Sequence, residues 1–227
     1  MDPAAEVIPY PPDIDVREYI DARKVMKEYN LGPNGALIVA VDMLVNYIDK
    51  IKEELDSIKP NYVIIDSPGQ LELFAFRQSG PLVLDQLTDD GKVATLFLLD
   101  ATYVTSPSIY ASMLMLLASV YVRLKKPLIP ILSKIDMVSR ERVKEIISWS
   151  EDPLIFSEAL SRETVKDMHV AMLAQNIVDL LETLGLSWIP IPVSSVDMTG
   201  LSETYAALQR VFSGGEDFLT EEPSGRL

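Results

Sequence analysis

Apolar residues recur every three or four positions from Ala36 to Ile58, where Leu37, Val41, Leu44, Val45, Ile48, Ile51 and Leu55 share one stripe. That spacing predicts one long amphipathic helix. Upstream, Pro3, Pro9, Pro11 and Pro12 punctuate an irregular opening that feeds one or two short helices from Asp13, a capping aspartate followed by Val16, Ile20, Val25 and Met26 at helical spacing. Three later runs, Tyr62–Asp66, Val93–Asp100 and Pro127–Ser133, are short, mostly apolar and closed by polar or turn residues, as buried parallel strands are. Trp188–Val193 is a fourth such run. Helical patterns at Ile109–Leu124, Arg140–Ser150, Arg162–Leu184 and Leu201–Phe212 alternate with them. The order predicts an α/β fold, a doubly wound and mostly parallel sheet with helical insertions. We expect one domain over 1–213 and a tail over 214–227.

Composition narrows the function classes. With 227 residues and 48% hydrophobic side chains the chain can bury a core. A formal net charge of −14 removes the basic footprint of a nucleic-acid binder, so no direct nucleic-acid contact is expected, while a small anionic ligand stays compatible. There is no cysteine, which excludes disulfides, thiolate catalysis and Cys-ligated metals. The most apolar run, Ile109–Val122, is shorter than the roughly 20 residues of a membrane span and is expected to be a buried helix. No signal-peptide pattern opens the chain, and a cytoplasmic setting is expected. The lone histidine, His169, has no partner motif and is assigned no role.

Polar signals fall at the carboxyl ends of the predicted strands, where ligands of such sheets bind. Val63-Ile64-Ile65-Asp66-Ser67-Pro68-Gly69-Gln70 puts a carboxylate at a strand tip, then a glycine turn through which backbone can approach a phosphate. This has the shape of a Walker B strand running into a switch loop. Asp66 would hold Mg²⁺, the Gly69 amide would meet a γ-phosphate, and Gln70 or Glu72 would orient water. An Asp66 that only caps the next helix is the alternative.

Ser133-Lys134-Ile135-Asp136 after Pro127–Leu132 resembles the [N/T]KxD element of GTPases, with Ser133 where Asn is common. There Asp136 accepts from the guanine N1–H and amine while the Lys134 stem covers the base; adenine would leave that carboxylate unpaired. Val193-Ser194-Ser195 resembles the last GTPase element, whose amide contacts the guanine oxygen; a strand-end or capping role is its local alternative. Gly32-Pro33-Asn34-Gly35, read locally, is a turn opening a helix with Asn34 as cap.

The order Asp13-Ile14-Asp15-Val16-Arg17-Glu18, Gly32-Pro33-Asn34, long helix, Asp66-Ser67-Pro68-Gly69-Gln70 and Ser133-Lys134-Ile135-Asp136 resembles the GPN-loop GTPases over nearly the whole chain. The resemblance implies a Mg²⁺-dependent homodimer that hydrolyses GTP to GDP and phosphate and switches conformation as it does so. It implies that Gly32, Pro33 and Asn34 reach the partner's phosphate site, Asn34 acting in trans, and that Asp2 assists near the metal. The apolar Ile109–Val122 helix is a candidate dimer surface. Eukaryotic members assemble or import RNA polymerase, which makes such a client the expected partner.

The phosphate-binding signature G-x-x-x-x-G-K-[ST] occurs nowhere in the sequence. In the family it precedes a segment that Met1-Asp2-Pro3-Ala4 matches, and its strand lies between those ending at Asp66 and Asp100. The expectation is therefore that Met1 is an internal methionine of a longer protein and that the chain as written is inactive. A nucleotide-free or nucleotide-regulated scaffold is the alternative.

Overall fold

The computed structural model describes residues 1–88, 92–163 and 188–213, and residues 172, 176, 179, 180 and 183. The chain divides into two compact units, Met1–Gly91 and Lys92–Leu227.

In the first unit, Val16–Glu18 forms one 3-10 turn and Ala22–Glu28 the helix α1. Asp15 and Asp21, not Asp13, cap them: each has extended backbone and accepts from amides in the first turn, the geometry a side-chain cap requires. The helix expected over 36–58 is interrupted. It begins earlier as α2 (Pro33–Met43), tightens into a 3-10 turn at Leu44–Tyr47, and continues as α3 (Ile48–Ile58). The tighter winding changes the phase of the stripe, yet Ala36, Ala40, Leu44, Ile48 and Ile51 all remain in one core with Val16, Val25 and Val83. Pro33 opens α2 because its missing N–H falls where a helix has no acceptor to offer. Two shorter helices follow, α4 (Leu71–Phe74) and α5 (Ser79–Thr88). They meet so closely that a Cβ on Gly80 would stand 1.8 Å from the Phe74 carbonyl oxygen.

Tyr62–Asp66, expected as a buried strand, belongs to no sheet: Tyr62 and Val63 are half exposed and Ile64 is 94% exposed. An apolar run becomes a strand only when neighbours pair its amides and carbonyls, and among the described residues no strand pairs with this segment.

The second unit alternates β1 (Thr95–Asp100), α6 (Pro107–Leu124), β2 (Leu128–Ser133), α7 (Arg140–Glu151), α8 (Pro153–Glu163), β3 (Ile191–Pro192) and α9 (Leu201–Ser213). The strands are parallel in the order β1-β2-β3, in register from Thr95 opposite Leu128 to Asp100 opposite Ser133. β3 is two residues long where six were expected, because Pro190 and Pro192 cannot donate to a ladder. Helix α8 was not anticipated. The helix expected over 162–184, His169 and the tail 214–227 fall largely or wholly outside the described residues.

Ser106 caps α6 and Pro107 starts it, so the helix is longer than its apolar run. By length and composition Pro107–Leu124 could cross a membrane. Here one face, with Tyr110, Leu114, Leu117 and Val120, is buried, as expected, while Met115, Leu116 and Val122 are exposed. Tyr110 packs against Trp149 and Phe156 at centroid distances of 6.0 and 5.6 Å, and its hydroxyl pairs with Ser150 Oγ at 2.6 Å. Burial pushes the Tyr110 phenol well above its ordinary range.

Candidate functional site

The carboxyl ends of β1 and β2 lie side by side and carry the base-reading candidates of the second unit. Ser133 Oγ donates to the Leu99 carbonyl across the ladder at 3.1 Å. The serine thus supplies a tie between neighbouring strands where Asn is common. Lys134 follows in the left-handed region at φ 59°, and its ammonium meets Asp100 at 2.6 Å. Asp136 sits in the 3-10 turn Ile135–Met137, exposed, and its carboxylate accepts no hydrogen bond among the described residues. It is an acceptor pair left open at a strand end. The Lys134–Asp100 bond raises the lysine above its usual value. Burial pushes the Asp100 carboxyl up, but hydrogen bonds from Lys134 and Thr102 outweigh it and hold the group below the usual carboxylate range.

After β3 the chain turns through 194–200 beside that loop, with the Ile135 N–H on the Val193 carbonyl at 3.4 Å. Ser194 is fully buried: its amide donates to the Thr199 carbonyl at 3.0 Å and its hydroxyl accepts from the Val196 N–H at 3.2 Å. Ser194 therefore shapes the loop, and exposed Ser195 is the residue the loop presents.

The phosphate candidates lie in the first unit. Gly32 is the N-cap of α2 and offers no side chain to bond. Asn34 is therefore not the cap expected locally; it stands exposed in the first helical turn. Asp66 does not cap α4 either, because Gln70 occupies that position. Instead Asp66 accepts from the Tyr10 hydroxyl at 2.5 Å, and the Met1 amine donates to its carbonyl at 2.6 Å. The Asp2 carboxylate takes the Ala4 N–H at 2.9 Å. Gly69, Gln70 and Glu72 are exposed, and a Cβ on Gly69 would meet nothing within 4 Å, so its small size serves no internal packing.

Among the described residues no group of three or more His, Asp and Glu could hold a metal alone. Asp66, with an exposed carboxylate, is the residue that would hold a magnesium ion together with substrate phosphates.

Two residues escaped sequence reasoning. Asp100 ends an apolar run after Leu98-Leu99, just as Asp66 ends one after Ile64-Ile65, and that repeated sequence pattern was the available signal. Tyr10 gave none, since its partner is 56 residues away.

This parallel sheet, with polar loops at its strand ends, has the fold of a P-loop GTPase. A GTPase from Pyrococcus abyssi, solved in its apo form, matches with a TM-score of 0.82 and 22% identity, covering 94% of this chain and 84% of that one. A family described as "Conserved hypothetical ATP binding protein" matches residues 1–213. Curated relatives include GPN-loop GTPase 3 of Dictyostelium discoideum, 31% identical over 98% of this chain and 78% of that protein. GPN-loop GTPase 3 of Debaryomyces hansenii is 33% identical over 82% and 69% respectively. GPN-loop GTPase 1 of D. discoideum is 28% identical over 90% of this chain, which spans 51% of that longer protein. The chain belongs to the GPN-loop GTPase family.

Proposed function

We propose that this protein binds guanine nucleotide and, as a homodimer, hydrolyses GTP to GDP and phosphate as a conformational switch. The observation that carries the base reading is Asp136: an exposed carboxylate, bonded to nothing among the described residues, immediately after the strand ending at Ser133. Two parallel acceptor oxygens there suit the two donors of a guanine edge and leave adenine mismatched.

In the phosphate half, Asp66 would hold Mg²⁺ together with the nucleotide, and the metal would supply neutralisation of phosphate charge. Gly69 offers backbone to the γ-phosphate. Gln70, the N-cap of α4, and Glu72 in its first turn are both exposed, and one or the other would orient the attacking water. Asn34, carried at the opening of α2 by Gly32 and Pro33, would reach the partner's site. The exposed apolar side chains of α6, Met115, Leu116 and Val122, support the dimer reading, since exposed apolar surface favours cover. A switch of this type suits assembly of a larger complex, with RNA polymerase as the client to test.

The experiment is nucleotide binding and turnover by the full-length protein. Asp136→Ala should weaken GTP binding at least about tenfold, and Gln70→Ala should abolish steady hydrolysis while sparing binding. Unchanged affinity in Asp136→Ala sinks the base assignment. Binding without turnover, together with client capture insensitive to Gln70→Ala, would move the protein to the scaffold class.

A further inference from the structure

Asp100 divides its carboxylate between two neighbours. One oxygen accepts from the Thr102 N–H at 2.9 Å and the Thr102 hydroxyl at 2.6 Å; the other accepts from Lys134 Nζ at 2.6 Å. The strand register places Asp100 directly opposite Ser133. Ser133 in turn binds the Leu99 carbonyl through its hydroxyl and the Ala101 N–H, at 2.9 Å, through its own carbonyl. The residue before Lys134 is therefore fixed on the β1 side.

Lys134 itself has φ 59° and ψ 37°, a conformation that a residue with a Cβ keeps only when its surroundings over-determine it. The turn that follows is built on it: the Met137 N–H donates to the Lys134 carbonyl at 3.0 Å, with exposed Asp136 between them. Where Lys134 sits thus decides where the Asp136 carboxylate is presented.

We propose that Asp100 is a positioning residue for guanine recognition: it holds Lys134 in its left-handed turn and through that turn aims Asp136. This rests on the guanine reading above. Asp100 is no base contact itself, since both its oxygens are engaged within the fold. The strength of the pair is not what distinguishes this role, because Lys134 is 57% exposed and exposed ion pairs are weak. The distinguishing property is that base discrimination depends on it.

The test is titration of fluorescent GDP and ADP into the full-length protein and its Asp100→Asn, Asp136→Asn, Lys134→Met and Asp100→Asn/Lys134→Met variants. Asn is close in shape to Asp and keeps an acceptor for Thr102. Asp100→Asn should lower GDP affinity about tenfold while ADP affinity and melting temperature hold, so the GDP-over-ADP preference falls with it. The double variant should be no worse than Lys134→Met alone, because Asp100 acts through Lys134. Asp100→Glu should recover part of the loss. If Asp100→Asn keeps the preference while Asp136→Asn loses it, the positioning role is overturned and the guanine reading stands. Equal losses for GDP and ADP with a lowered melting temperature mean a structural role only and also overturn it. No preference for GDP over ADP in the unaltered protein overturns both.

Discussion

Gly200 links the loop after β3 to α9 and offers the most direct quantitative test of the second unit. Its φ is 79°, and a Cβ there would stand 1.9 Å from the Pro192 carbonyl oxygen and 3.0 Å from Val193 Cγ2. Alanine at this position meets two costs. The left-handed conformation takes about 1 kcal/mol from a residue with a Cβ. Relieving the overlap with backbone takes roughly 2 kcal/mol more, in the middle of the range for overpacking. The sum, about 3 kcal/mol, corresponds to a fall of about 10 °C in melting temperature for a protein of this size. The displacement should also reach the base loop. The Gly200 carbonyl accepts the Thr204 N–H and hydroxyl at 2.9 and 2.8 Å, and neighbouring Thr199 holds the Ser194 amide. Thermal melts followed by circular dichroism, with GDP titrations on the same samples, measure both effects. A Gly200→Ala protein melting within about 2 °C of the parent would refute the steric reasoning.

Other outcomes are expected in the first unit. Tyr10→Phe removes the donor on Asp66 and should lower the Mg²⁺ concentration needed for tight GDP binding about threefold; an unchanged Mg²⁺ dependence would show that the contact does not compete with the metal. The hydrogen bonds and charge of Arg17 hold Asp15 below the usual carboxylate range despite partial burial. The folded-state pKa is depressed, so the pair's stabilisation is present above the unfolded value of about 3.9 and is lost as pH falls through the lower folded value. Accordingly, the stability advantage of the parent over Asp15→Asn should be constant near neutrality and shrink below about pH 4 in denaturant titrations. Gly80→Ala drives a Cβ against the Phe74 carbonyl and should cost about 2 kcal/mol or more in urea unfolding. Asn34→Ala should slow GTP turnover without changing the sedimentation coefficient of the protein.

The sequence by itself determined the elements whose signals are local. β1, β2, α6, α7 and α9 lie within a few residues of where periodicity and capping residues put them, because alternation, apolar runs and caps are properties of neighbouring side chains. The order of motifs was likewise legible: a GPN turn before a helix, Asp66-Ser67-Pro68-Gly69-Gln70 after an apolar run, and Ser133-Lys134-Ile135-Asp136 at the end of β2.

Tertiary structure decided whatever depends on a distant partner. Tyr62–Asp66 has the composition of a buried strand but no ladder, since pairing comes from other segments and not from the run itself. The break at Leu44–Tyr47 and the caps at Asp15, Asp21 and Gly32 depend on backbone geometry that spacing does not encode. The contacts made by the candidate residues within each unit, Tyr10 on Asp66 in the first and Lys134 on Asp100 in the second, join residues 56 and 34 positions apart. A carboxylate at a strand end is visible in the chain, whereas the cation or hydroxyl that meets it is supplied by the fold.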